Sequence, residues 1–339
     1  MIKLALDGMG GDFGAPVVIK GAVEAIKKFP DLELYIYGDI PTMEKYLTSK
    51  ERITLIQANS VIDMGEKNPV SAIRNMKDSS MVMALKSVKE GETHGVVSSG
   101  PTQALVVGGH VIVKKLDKMS RIAIAPTIPS LDKRGRILLD CGANVDLKPQ
   151  HILELSIFAS TVSKYYFKRE NPLVGLVNIG EEEGKGRQLD LEVFELLKNN
   201  EHINFYGNVE ANKVLTTECD VMVTDGFTGN VVLKTTEGTA KTMGTILKEE
   251  IKMSFLGKIG ALLMRKNLEK FKKRLDASEI GGAMIYGLRA PVIKAHGSSN
   301  DVAIYNAIRQ AYTLVKAEVV KKVEEVLSLI DFNTSEGNE

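Results

Sequence analysis

Two short segments place polar side chains where an anion could be held. Glu181-Glu182-Glu183-Gly184-Lys185-Gly186 is a charged loop after an aliphatic run, with its lysine between two glycines. A cation on so free a backbone can reach a phosphate or a developing oxyanion at the edge of a ligand site. Asp225-Gly226-Phe227-Thr228-Gly229-Asn230 has the same placement. It offers a side-chain amide, a hydroxyl and glycine N–H groups at a helix start. The plain alternatives are a solvated charge run for the first segment and turn chemistry, with the asparagine as a cap, for the second.

Other segments are read the same way. Ser98-Ser99-Gly100-Pro101-Thr102-Gln103 closes a strand and opens a helix. Pro101 suits the first helical position, where a missing N–H costs little. Hydroxyls and exposed amides there would hold a phosphate, and N-capping by a serine is the competing reading. Gly8-Met9-Gly10-Gly11-Asp12-Phe13-Gly14 invites a dinucleotide reading and fails it. The third glycine of GxGxxG would fall on Phe13, Asp12 would meet a pyrophosphate, and Asp39 lies well beyond the ~20-residue spacing of a ribose-binding acid. His296, in Ala295-His296-Gly297-Ser298-Ser299-Asn300, precedes the last long helix and reads as a loop or interface residue. HExxH, GxSxG and Walker A patterns do not occur, so zinc-protease, serine-hydrolase and P-loop chemistry fall away. Cys141 and Cys219 each border an apolar run, far apart, and read as core residues in a chain suited to a reducing cytosol.

These segments need elements to position them. Aliphatic runs at 3–7, 33–38, 53–58, 95–100, 121–127, 136–141, 173–179, 203–208 and 221–225 alternate with helical periods near 16–28, 71–90, 102–116, 149–168, 187–199, 228–252 and 300–328. Such alternation predicts right-handed βαβ crossovers and a mainly parallel sheet covered on both faces. The strand ends repeatedly finish in small or polar residues: Asp7-Gly8, Ser98-Ser99-Gly100, Asn144, Asn178-Ile179-Gly180, Asn208 and Asp225-Gly226. In open parallel sheets the ligand crevice lies at those carboxyl ends, and many such ends together point to a phosphate-handling crevice.

With 339 residues, 44% hydrophobic and 26% charged, the chain can bury a large core. The expectation is a single unit over 1–330, or two lobes meeting near 126–135 and 276–299, with a flexible tail at 331–339. Lys and Arg total 44 against 43 Asp and Glu, so no global attraction to nucleic acid exists and none is expected as a partner. The amino terminus reads as a strand, without a signal-peptide layout, and no apolar stretch reaches the ~18 residues of a membrane span. The expected location is the cytoplasm.

Taken in order, the motifs resemble those of the phosphate acyltransferases of bacterial phospholipid synthesis. The segments that carry the likeness run from Asp7 to about Gln310. They are Met9-Gly10-Gly11-Asp12 with Ala15-Pro16, Lys77-Asp78-Ser79-Ser80-Met81, Leu139-Asp140 with Gly142-Ala143-Asn144-Val145-Asp146, and Asn178-Ile179-Gly180-Glu181-Glu182-Glu183. Gly207-Asn208-Val209-Glu210, Asp225-Gly226-Phe227 with Gly229-Asn230-Val231-Val232-Leu233-Lys234, and the 295–300 segment complete them. The resemblance implies an α-β-α sandwich like that of phosphotransacetylases and isopropylmalate dehydrogenases, working as a homodimer without a cofactor. Long-chain acyl-carrier protein and inorganic phosphate would give acyl phosphate and free carrier protein. Lys185 and Asn230 match the family's catalytic positions. The motif-bearing strand ends add Asp7, Gly10, Gly11, Ser98, Thr102, Asn144, Asn178, Asp225, Gly229 and His296 as candidate contacts to phosphate or acyl phosphate. Where the family usually reads Ser-Ala-Gly-Asn-Thr-Gly, this chain has Pro101 and Gln103, so no phosphate contact is assigned to either. Gly8 replaces the usual alanine.

Phosphate is itself the nucleophile in such a reaction, so no activated serine or cysteine is required and no metal is needed. The departing pantetheine thiol, with a pKa near ~8.5 by analogy with cysteine, leaves with little protonation. One region stands apart. Ile251, Phe255, Ile259, Leu262 and Leu263 recur at helical spacing, followed by Arg265, Lys266, Lys270, Lys272, Lys273 and Arg274 with Glu269 as the single acid among them. A helix packed in the core or a dimer interface explains the stripe; so does a surface hairpin, with Leu256 beside the stripe, touching anionic lipid. The same basic run could dock an acidic carrier protein. Leu256, Ile259, Lys272 and Lys273 are the candidate membrane or carrier contacts. Peripheral membrane association, direct or through the next acyltransferase, is the expectation.

Overall fold

A computed structural model describes residues 1–275 and 281–330, without the side chains of 272–275. The tail 331–339 and residues 276–280 of the expected second boundary lie outside the described residues. The aliphatic runs form strands whose apolar side chains are buried against helices, on both faces of the first sheet and on one face of the second. One sheet runs, in spatial order, Ile53–Gln57 (β3), Leu32–Gly38 (β2), Ile2–Asp7 (β1), Val96–Ser98 (β4), Val292–Lys294 (β12), Ala283–Tyr286 (β11) and Ala123–Ala125 (β5). Pairing is parallel from β3 to β12, whereas β11 is antiparallel to both neighbours. The second sheet runs Thr127–Ile128 (β6), Arg136–Leu139 (β7), Val221–Val223 (β10), Leu173–Asn178 (β8) and Asn204–Glu210 (β9). Only the β6–β7 pair is antiparallel there. Pro126 alone separates β5 from β6, so the chain changes sheets at a residue that cannot donate to a ladder.

One helical layer is shared by both sheets. Helices Ala15–Lys28, Pro149–Tyr166, Gln188–Lys198, Asp301–Lys316 and Val319–Ser328 pack into a single apolar core with Leu4 and Leu34 of the first sheet and Val174 and Val221 of the second. Phe158 stacks on Tyr286 at 4.9 Å, joining the helix after β7 to β11. The far face of the first sheet is covered by Pro69–Asn75, Ser80–Lys89 and Thr102–Gly108. The result is an α/β sandwich of mostly parallel strands.

Several elements differ from the sequence-based expectation. The 71–90 helix is two helices, because Met76 leaves helical geometry and Ser79 is extended. The 102–116 helix ends as a π turn at Gly109–Val113, and 300–328 breaks where Glu318 takes φ 50°. The stretch around 283–294, irregular by pattern, forms β11 and β12, whose residues are too few to show a period. No helix among the described residues is long and apolar enough to cross a membrane.

Gly226–Met253 is a 28-residue helix, about 42 Å long at 1.5 Å per residue, and its only buried residues are Gly226 and Gly229. Phe255–Leu263 and Arg265–Leu275 follow it. None of the residues of Phe255–Leu263 is buried, so the apolar stripe is not core of this chain; Leu256 is 79% and Leu263 82% exposed.

Candidate active site

The carboxyl ends of β7, β8 and β10 bring Lys185 and Asn230 to one edge of the second sheet. Arg187 stands between their segments. Its guanidinium holds Asp190 by two bonds of 2.9 Å and reaches Asp225 at 2.5 Å. Asp225 caps the long helix, accepting from the Thr228 N–H at 2.8 Å and the Thr228 hydroxyl at 2.9 Å. One guanidinium thus ties the loop of Lys185 to the helix start of Asn230. Burial pushes the Asp225 carboxyl up, but the Thr228 amide and Arg187 outweigh it and hold it below the ordinary carboxylate value.

Asn178, at the end of β8, supports the lysine loop. Its amide donates to the Lys185 carbonyl at 2.9 Å and to Asn208 Oδ1 at 3.1 Å, and Asn208 donates on to the Glu182 carbonyl at 2.8 Å. Gly186 crosses Asn178 at φ 104°, where a Cβ would sit 2.7 Å from Oδ1. Glycine is needed there on both counts. Of the three neighbouring glutamates, Glu181 pairs with Lys213 and Glu183 with Lys198. The exposed Lys185 ammonium pairs with none of the described residues.

Asn230 lies in the first turns of the long helix and is exposed, its side chain against Gly142. Asp225, not Asn230, is the cap, so the asparagine amide remains open to a ligand. Close approach of the helix to the 140–144 loop depends on two glycines. A Cβ on Gly226 would collide with the Asn144 carbonyl, and one on Gly229 with the Asp140 carbonyl. Beneath them Asp140 accepts from Ile124 N and Ala143 N at 3.1 Å and from Asn144 N at 2.7 Å. Asn144 also donates to Ile122 O at 2.6 Å, which fastens this loop to the first sheet.

The first sheet contributes three interlocked loops. Asp7, buried at the end of β1, accepts from Ser80 Oγ and Ser98 Oγ at 2.6 Å each and from Gly10 N at 3.2 Å. Ser99 Oγ donates to Gly10 O at 2.9 Å, and Asp12 N donates to Gly297 O at 2.8 Å. Gly11, at φ 84°, passes where a Cβ would meet both Ser99 and Gly297. Lys294 closes this arrangement from below. It is 7% exposed, and its ammonium donates to Ser99 O at 3.2 Å and to Ala295 O. Burial pushes its pKa down to about 8, against the pull of Asp7 and Asp12.

Asp7, Ser98, Asn144, Asn178 and Asp225 therefore spend their side chains on the loops around them. Ser98 caps no helix: it bonds Asp7 and Gly100 N, and Pro101 precedes rather than begins the helix Thr102–Gly108. Thr102 and His296 are exposed, and His296 shares a 2.9 Å hydrogen bond with Ser298. Gly10, Gly11 and Gly229 serve close packing. Leu256 and Ile259 lie on the separate arm, and the side chains of Lys272 and Lys273 lie outside the described residues. Cys141 and Cys219 are buried, their thiols pushed up by desolvation, Cys219 to about 11. Two cavities beside the second sheet, of about 610 and 250 Å³, are lined by neither Lys185 nor Asn230.

Comparison with known proteins gives the chain's family. A family model described as fatty acid synthesis protein matches residues 2–322. The phosphate acyltransferase of Acholeplasma laidlawii is 47% identical over 329 residues, spanning 96% of this chain and 98% of that protein. The phosphate acyltransferase of Bacillus pumilus is 45% identical, spanning 94% and 95%. The chain belongs to this family. It is an acyltransferase. Among solved structures, a phosphotransacetylase from Streptococcus pyogenes superposes with a TM-score of 0.63 at 17% identity, over 94% of both chains. A branched-chain phosphotransacylase from Enterococcus faecalis gives 0.59 at 13% identity, over 93% of this chain and 99% of that one. Both likenesses are of fold.

Three residues of the candidate site were not expected there from the sequence, although Asp140 belongs to one of the motifs that carry the family likeness. Arg187 sits two places after Lys185 and looks like any surface arginine until Asp225 arrives from β10. Asp140 follows an aliphatic strand without a ligand-like pattern. Lys294 is a single charge inside Val292-Ile293-Lys294-Ala295, and its solitude in an apolar run was the available signal.

Proposed function

We propose that this acyltransferase moves a long-chain acyl group from acyl-carrier protein to inorganic phosphate, giving acyl phosphate and free carrier protein for phosphatidic acid synthesis. The observation that carries it is an unpaired lysine ammonium and an open asparagine amide held at one sheet edge by the Arg187–Asp225 bridge. A phosphate oxygen attacks the thioester carbon, a tetrahedral oxyanion forms, and the C–S bond breaks with the electron pair leaving on sulfur. Lys185 offsets the phosphate charge, and Asn230 hydrogen-bonds the carbonyl oxygen or the phosphate. Asp7, Ser98, Asn144, Asn178 and Asp225 hold the loops that shape the crevice, while the exposed Thr102 and His296 face the anion. Positioning of the two reactants against each other then supplies further rate.

The arm supports two further parts of the proposal. Met243, Ile246 and Leu247 are exposed along the long helix, a face suited to a second copy of the chain in a homodimer. Phe255, Leu256, Ile259, Leu262 and Leu263 form an exposed apolar tip suited to peripheral contact with a membrane, where a poorly soluble acyl phosphate would be released.

The reaction is tested by incubating long-chain acyl-carrier protein with phosphate in EDTA and trapping acyl phosphate with hydroxylamine. Thiol release that ignores phosphate, or that stops with chelator, would overturn it.

A further inference from the structure

Around the 142–148 loop, against which Asn230 packs, the surface is rich in basic residues, and no part of the chemistry above uses it. Four segments meet there. The π turn Gly109–Val113 carries His110, and the loop after it carries Lys115 and Arg121. The 142–148 loop ends at Lys148, and the helix Pro149–Tyr166 begins with His151. Hydrogen bonds fix them together. Lys115 Nζ donates to Ser120 O at 2.7 Å, Asn144 donates to Ile122 O at 2.6 Å, and Lys148 N donates to His151 Nδ1 at 3.1 Å.

The charges that act on the two histidines of this face are positive, and the exposed Asp146 of the 142–148 loop is an acid on the same segment. Burial and then Lys115 and Arg121 hold the His110 imidazole below its ordinary pKa. Burial and then Arg121, Lys148 and Lys115 do the same for His151. Asp117 is engaged by Arg289, and Glu154 is buried with both carboxylate oxygens on Ser120. Val111 and Val145 stand exposed within this charged surround, at 56% and 71%. A few apolar contacts ringed by cations suit a protein partner better than a bilayer, whose candidate is the far more apolar tip at 255–263.

The position matters as much as the charge. The loop ending at Lys148 starts at Gly142, against which the Asn230 side chain packs, and Asn144 ties its middle to the residue after Arg121. A partner seated on the patch therefore lies beside the reacting groups. We infer that the face of His110, Lys115, Arg121, Lys148 and His151 is the docking surface for the acidic protein that presents the acyl thioester. This rests on the acyl-carrier reading of the substrate.

The test is the double variant Arg121→Glu/Lys148→Glu, both exposed and outside the reacting groups. With palmitoyl-carrier protein the KM should rise about tenfold or more, because reversal turns two attractions into repulsions. With palmitoyl-pantetheine, which lacks the carrier protein, turnover should equal that of the parent. Raising ionic strength should raise the parent's carrier KM and leave the variant's nearly flat. Interferometry with unacylated carrier protein supplies a readout independent of turnover, and the variant should lose most of that binding. A parent inactive with both thioesters would refute the proposed reaction while leaving the binding measurement to judge the surface. Unchanged carrier KM and binding in the variant would overturn the inference. So would equal losses with both thioesters, or a KM rise produced instead by Lys266→Glu/Lys270→Glu on the arm.

Discussion

Gly229→Ala is the sharpest test of how the site is assembled. The glycine immediately precedes Asn230, and an added Cβ would lie more than about 1 Å inside the 3.0 Å limit to the Asp140 carbonyl. That neighbour is backbone, held by the bond from Asp140 N to Thr224 O at 3.0 Å, and cannot swing aside. The helix start must move instead, carrying Asn230 with it. Overpacking of this kind costs about 1–3 kcal/mol, and a displacement near 1 Å at a reacting group costs on the order of 10²-fold in rate. Gly238→Ala is the matched control on the same helix, since nothing lies within 4 Å of its Cβ position. There alanine should stabilise by about 0.5–1 kcal/mol through helix propensity alone. The assay is acyl phosphate formation with hydroxylamine trapping, beside thermal unfolding of both variants. Parental kcat and unfolding temperature in Gly229→Ala would refute the tight packing of the helix start on the 140–144 loop.

Three further outcomes are expected. Lys185→Ala and Asn230→Ala should each lower kcat by about 10²-fold or more with unfolding temperature unchanged, since both side chains are exposed; near-normal turnover in both would place the site elsewhere. Lys294 should set an alkaline limit to activity. Burial lowers its pKa to about 8, so the ammonium that holds the Ser99 and Ala295 carbonyls is intact below that pH and lost above it. Lys294→Arg, protonated throughout, should move the falling limb of the kcat/KM profile upward, and an unmoved limb would remove Lys294 from the account. Leu256→Glu should weaken sedimentation with anionic vesicles while leaving turnover in solution intact; parental sedimentation would show that the exposed tip serves packing with another chain.

The α/β class was legible in the sequence because short aliphatic runs alternate with helical periods and several of them finish in Gly, Ser, Asn or Asp, and local pattern suffices for that. Lys185 and Asn230 stood out through motif order and through their glycine neighbours. Tertiary structure decided what those motifs do. β11 and β12 were invisible as strands because three or four residues show no period, and β11 exists by pairing with β5, some 160 residues earlier in the chain. Asp7, Ser98, Asn144 and Asn178 carry acceptors and donors that suit a ligand or a loop equally well. Which of these each one meets depends on neighbours delivered by other strands. Lys294 and Arg187 belong to the same class: one ammonium among three loops and one guanidinium between two carboxylates acquire their roles only when distant strand ends are brought side by side. Chemistry that depends on a residue's own type and local spacing is written in the chain, whereas chemistry that depends on what lies across a sheet is settled by strand order.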